Sequence, residues 1–242
     1  MTTTPHLGVE LARNGYSAYA EELRALHSTL ASFCSTPEGG NPPRCMSCTL
    51  EIELSYLRLR MAKPRVVWEI SPLHGFTTVM ILSALHHNNN SARLHSFDRH
   101  AGAKVYVTHA KFPELFRMWS FHERDLIQSV KHTLASHDND ASALFKALAP
   151  RPNYLFLDSY HSATMGGLYV DTLLPAMQRY HTHVSLHDVY NPLFWTDDHY
   201  ERNLTTYPLE MANLEGGMVC ERPWARLALA HPCTPTAMAT AG

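Results

Sequence analysis

The sequence has no long apolar run, no excess of one charge and few cysteines, and each lack closes off a class of protein. No stretch approaches the roughly 18 apolar residues of a membrane-spanning helix. The first 15 residues lack a basic segment followed by an apolar one, so no secretory signal is expected. Twenty basic and 22 acidic residues leave a formal charge of −2, with no basic field for nucleic acid or an anionic membrane surface. Five cysteines include a single CxxC, Cys45 to Cys48, with Cys34 nearby. A strong zinc pattern needs a second matched pair, so reduced thiols and a cytoplasmic location are the expectation, with a structural metal or a disulfide at Cys34, Cys45 and Cys48 as the lesser alternative. Neither GxGxxG nor GxxxxGK[ST] occurs, which argues against a phosphate-cradling loop.

What is present fits one sizeable globular domain. The 242 residues are 45% hydrophobic, enough to bury a full core. Tyr16, Tyr19, Leu23, Leu26, Leu30 and Phe33 recur at helical spacing and predict an amphipathic helix over 16–33. A Pro/Gly-rich turn follows, then Leu50, Leu54, Leu57 and Met61 mark a second helix that stops before Pro64. Residues 1–63 are read as a helical N-terminal extension, suited by its amphipathic faces to cap a site or to form a homodimer.

From Arg65 the rhythm changes to short apolar strands alternating with helices. Strands are expected at 65–70, 92–97, near 115–120, 153–157 and 183–187. Helices are expected near 76–87, 126–136, 140–148 and 165–179. An antiparallel pair at 218–221 and 226–230 follows Gly216-Gly217, and 232–242 reads as a frayed tail. The alternation predicts an α/β domain over 64–231, a mostly parallel sheet with helices on both faces. Ligands in such sheets bind outside the carboxyl ends of the strands, where strand order reverses. Those ends carry Glu69, Asp98, Asp158 and His187-Asp188, so four strands end in an acid.

At these strand ends the chain resembles the class I S-adenosylmethionine-dependent methyltransferases, in the small-molecule O-methyltransferase branch. The first motif is Glu69-Ile70-Ser71-Pro72-Leu73-His74-Gly75-Phe76-Thr77-Thr78, and the second is Leu94-His95-Ser96-Phe97-Asp98. The later ones are Tyr154-Leu155-Phe156-Leu157-Asp158-Ser159-Tyr160-His161 and Val184-Ser185-Leu186-His187-Asp188. The resemblance implies a Rossmann-like fold with a seven-stranded sheet. It also implies that Glu69, Ser71 and Gly75 form the S-adenosylmethionine turn, and that Asp98 takes the ribose hydroxyls. Ser71 stands where the family usually has glycine, a replacement expected to need a negative φ. S-adenosylmethionine has a ribose diol and an ammonium group but no phosphate, which suits carboxylate acceptors. Asp125, after the third strand, is the expected partner of the adenine amino group. His74 is expected to face solvent.

Two devices are available for the methyl acceptor, a small-molecule or glycan hydroxyl. In one, Asp158, His187 and Asp188 hold Mg²⁺ or another divalent cation, as the resemblance implies for acids at these two strand ends. In the other, His161 or His187 is a metal-free general base oriented by an aspartate. Against both stands a plain N-cap role for Asp158. The segment 190–200, rich in aromatics, is placed over the acceptor. Two other readings remain: an NAD(P)-dependent oxidoreductase with its ribose on Asp98, and a catalytically inactive scaffold of the same fold.

Overall fold

The structure, a computed structural model, describes residues 15–35, 43, 49–137, 142–159 and 163–186. A short turn at Tyr16–Ala18 leads into α1 (Ala20–Ser35), and α2 covers Thr49–Ala62. The alternating region then runs β1 (Val66–Ile70), α3 (Phe76–Asn88), β2 (Arg93–Asp98), α4 (Gly102–Tyr106), α5 (Pro113–Phe116) and β3 (Trp119–Glu123). It continues through α6 (Leu126–Ala135), α7 (Ser142–Ala147), β4 (Tyr154–Leu157), α8 (Ala163–Leu168), a π-helical turn (Tyr169–Leu173), α9 (Leu174–Arg179) and β5 (His183–Leu186). The five strands form one parallel sheet in the order β3-β2-β1-β4-β5. The order reverses between β1 and β4, which sets the ligand crevice beside Glu69 and Asp158.

Strand alternation feeds two cores. Val67, Leu94, Trp119, Tyr154 and Phe156 face the layer built from α1, α2 and α3. Trp68, Ile70, Phe97, Leu155 and Leu157 face α6, α7, α8 and α9. Burial on both faces explains why β1 and β4 read as near-continuous apolar runs. The helix α3 is buried at every residue from 77 to 85, because α1 and α2 cover the side turned away from the sheet. Helix α1 contributes Leu23, Leu26, Leu30 and Phe33 to that layer, the stripe its sequence period predicts.

A charged clamp fastens the N-terminal helices to each other and to α3. The Arg60 guanidinium donates from Nε to Glu22 Oε2 at 2.6 Å and from Nη2 to Glu22 Oε1 at 2.9 Å. Its third nitrogen reaches Asn88 at the end of α3, and its Cζ lies 4.9 Å from the centre of the Tyr19 ring. The Tyr56 hydroxyl donates to the same Glu22 carboxylate.

Several expectations shift. The third strand lies at Trp119–Glu123 rather than 115–120, because Pro113 starts a helical turn and Leu94 pairs with Trp119. The helix expected at 165–179 is broken by the π-helical turn ahead of Pro175, whose missing N–H disrupts regular bonding there. Cys34 is disulfide-bonded, with its partner outside the described residues. It is therefore not the reduced thiol expected, nor a thiolate free to bind zinc. The antiparallel pair at 218–221 and 226–230, the tail and the segment 190–200 lie outside the described residues. Among the described residues no helix is long and apolar enough to cross a membrane.

The clamp carries a prediction. Arg60→Ala strands the partly buried Glu22 carboxylate and should cost about 3 kcal/mol. Thermal unfolding should then show Tm lower by roughly 6–12 °C. A shift under about 2 °C would mean that the clamp adds little.

Candidate active site

The site begins with a carboxylate that water does not reach. Glu69, near the end of β1, is fully buried. It accepts hydrogen bonds from Thr77 Oγ1 at 2.7 Å, Thr78 Oγ1 at 2.8 Å and Ser96 Oγ at 2.5 Å. The Trp119 indole N–H donates to Ser96 Oγ at 2.8 Å, so the chain of bonds joins β1, β2, β3 and the first turn of α3. Burial pushes the Glu69 carboxyl up to about 7 against the pull of the three hydroxyls, and the charge of nearby Asp158 adds to the rise. Both Glu69 oxygens are thus engaged by hydroxyls beneath the turn, where the carboxylate supports the turn's shape.

Above Glu69 the chain makes a tightly coiled turn. Ser71 has φ +65°, Leu73 has φ +52° and Gly75 has φ +94°, all in the left-handed region. The expected negative φ at Ser71 is therefore overturned. A non-glycine residue held there costs on the order of 1–3 kcal/mol and persists only where its surroundings fix it. The fixing bonds are visible. Ser71 N–H donates to Phe97 O at 2.8 Å, and Gly75 N–H donates to Pro72 O at 2.7 Å. Leu73 N–H donates to Asp98 Oδ2 at 3.1 Å. Gly75 admits no side chain, since a Cβ would lie 2.5 Å from Val107 Cγ2.

The remaining predicted residues divide by position. Asp98 ends β2 beside the turn, accepting from Leu73 N–H and, through Oδ1, from His100 N–H at 3.0 Å. A carboxylate has about four acceptor sites, so lone pairs remain for a ribose diol. Asp125 caps α6, its Oδ1 accepting from Gln128 N–H at 3.1 Å, while its Oδ2 lies 3.4 Å from Arg99 Nε. Asp125 thus plays the kind of helix-capping role weighed for Asp158. Asp158 follows β4, donating its N–H to Ile70 O at 3.3 Å, across the switch point from the turn. Next to it, buried Ser159 accepts a hydrogen bond from Tyr169 on the π-helical turn. His161, His187 and Asp188 lie outside the described residues. Among the described residues no group of three or more His, Cys, Asp or Glu is placed to hold a metal.

Sequence reasoning missed the residues that pack around this corner. His74 is partly buried and packs on Tyr106, ring centroids 5.0 Å apart, rather than facing solvent. Gly102 lets α4 approach the turn so closely that a Cβ there would lie 2.5 Å from Leu73 O. A glycine four residues after the Asp98 acid was the available signal. Ser96 and Trp119 carried none, because a buried hydroxyl and an indole read as ordinary strand residues.

Two predictions follow from this geometry. Ser71→Gly relieves left-handed strain and should raise stability by about 1 kcal/mol in chemical denaturation; an equal loss would show that the serine side chain outweighs the strain. The raised Glu69 pKa means that the folded protein keeps a proton that the unfolded chain releases above pH 4.5. That stabilisation is complete below pH 4.5 and is lost as pH rises through about 7. It is worth on the order of 3 kcal/mol across the window. Urea titrations should show the stability of the wild type falling relative to Glu69→Gln between those pH values, and parallel pH profiles would contradict this.

Comparison with known proteins adds to the geometry. A family model described as a methyltransferase domain matches residues 69–189, half of the chain. No curated protein matches. Solved structures with similarity include the O-methyltransferase TomG from Streptomyces achromogenes, at 14% identity over 64% of this chain and 60% of that one, TM-score 0.38. Another is the Podospora anserina methyltransferase PaMTH1, at 14% identity over 81% and 80%, TM-score 0.46. A third is an O-methyltransferase from Bacillus cereus, at 12% identity over 64% and 60%, TM-score 0.40. This chain thus spans about three fifths of two of the three. The family match covers the turn, the strand-end acids and strands β2 to β5, and by it the chain belongs to the methyltransferase-domain family, with the fold of the class I S-adenosylmethionine-dependent enzymes.

Proposed function

We propose that the protein transfers a methyl group from S-adenosylmethionine to a hydroxyl of a small molecule or glycan. The observation that carries this reading is the corner at the switch point: a left-handed turn latched to Asp98, with acids at the ends of β1, β2 and β4. The donor set suits a cofactor with a ribose diol and a cationic amino-acid end. The basic residue nearest the β2 acid, Arg99, is paired with Asp125, which leaves a dinucleotide's phosphates poorly served. In this reading Asp98 takes the ribose hydroxyls on its remaining lone pairs, and Asp125 with Arg99 borders the adenine. The backbone of Ser71–Gly75 lies against the amino-acid end, held in shape from below by Glu69.

S-adenosylmethionine, when bound, would supply an electrophilic methyl carbon to the acceptor oxygen, its sulfur keeping the C–S bonding pair as a neutral thioether. The chain's own task is to align the acceptor and take its proton. Asp158 stands at the switch point for that work, with His161 and His187 as the other bases. A divalent cation on Asp158, His187 and Asp188 is the second device by which the hydroxyl would be made acidic. Cytoplasmic location belongs to the same reading, and the Cys34 disulfide is the observation that speaks against it.

The test is cofactor affinity in an Asp98→Ala protein. Calorimetry should show S-adenosylmethionine binding weakened at least about tenfold, or 1.4 kcal/mol. Unchanged affinity would place the cofactor elsewhere. Repeating the titration with EDTA and with Mg²⁺ separates the two acceptor devices, since only the metal route predicts a dependence on the cation.

A further inference from the structure

The left-handed residues of the turn need support from more than the sheet. The bonds to Phe97, Pro72 and Asp98 hold the turn from the strand side. On the opposite side lies α4 with the residue that follows it. Gly102 meets the Leu73 carbonyl, Val107 meets Gly75, and the Tyr106 ring packs on His74. A five-residue helix is too short to be rigid alone. Its brace is Phe33, near the end of α1, whose ring centroid lies 6.2 Å from Tyr106, 6.4 Å from Phe76 and 6.2 Å from Phe112. Phe76 is the first residue of α3, directly after the turn. Phe33 and Tyr106 are both buried. One aromatic cluster therefore ties the N-terminal helix to the C-terminal end of the turn.

We propose that Tyr106 and Phe33 are positioning residues for cofactor binding: the N-terminal helix, through these two rings, holds the turn at residues 71–75 in the shape that receives the cofactor. This gives the N-terminal helices a part in the cofactor site, beyond capping an acceptor or forming a dimer. The inference rests on the proposed placement of S-adenosylmethionine at this turn. In this proposal the two rings act through His74 and Phe76 rather than by touching the ligand.

The test uses the full chain with Tyr106→Leu and Phe33→Leu, which keep apolar bulk but lose the ring contacts. Val130→Ala, in the core on the other face of the sheet, is the control for general loosening. Two readouts are taken: calorimetric Kd for S-adenosylmethionine, and amide hydrogen exchange at Leu73 and Gly75 in the ligand-free protein. The expected result is a Kd about tenfold weaker in both ring variants. Exchange at Leu73 and Gly75 should also be faster in both, while the control keeps wild-type affinity and exchange at a comparable loss of Tm. Wild-type Kd and exchange in the ring variants overturn the proposal. So does an equal weakening in Val130→Ala. If the wild type itself fails to bind S-adenosylmethionine, the functional reading falls, and the exchange rates still decide whether the two rings hold the turn.

Discussion

The structure depends on one buried carboxylate. Glu69 has no access to water, and so polar a group is tolerable there only because hydroxyls from Thr77, Thr78 and Ser96 converge on it. Those hydroxyls belong to α3 and β2, and Ser96 is itself held by the Trp119 indole on β3. The bonds therefore set where α3 starts relative to three neighbouring strands. The turn between β1 and α3 has its two ends fixed by that network and its middle fixed by Asp98. A half-satisfied version of such a network would be worse than an apolar core, which makes the corner an all-or-none arrangement.

From this follows the division of labour among the strand-end acids. Glu69, on the central strand, is spent on architecture. Asp98 holds the turn through two backbone amides, and its remaining lone pairs are those proposed for the ribose. Asp125 starts a helix. Asp158, across the switch point, stands where the acceptor chemistry is proposed. Four residues of one chemical type do different work because burial and neighbouring donors differ at each.

Much of the fold was legible in the sequence, since β1, β2, β4 and β5 are short apolar runs and α3 is bounded by Gly75 and an asparagine-rich end. Strand β3 slipped because Leu115 and Phe116 look strand-like, while Pro113 starts a helical turn there. The site was legible as positions but less so as roles. Acids at strand ends can be found by pattern; whether their oxygens are already taken depends on side chains distant in sequence, such as Ser96 for Glu69 and Gln128 for Asp125. The φ of Ser71 was misjudged because propensity favours negative values, and tertiary bonds from Phe97 and Asp98 override it. His74 was misplaced for a similar reason, its partner Tyr106 lying on a separate helix.

The central claim is that this strained corner is built to receive a nucleoside sulfonium. The most direct measurement is a crystal structure of the protein grown with S-adenosylhomocysteine. The account predicts the ribose hydroxyls within hydrogen-bonding distance of Asp98. It also predicts Ser71 and Leu73 still at positive φ, with Glu69 still beneath the turn on its three hydroxyls. A ligand bound away from Asp98, or a turn in which Ser71 relaxes to negative φ when the ligand enters, would contradict it.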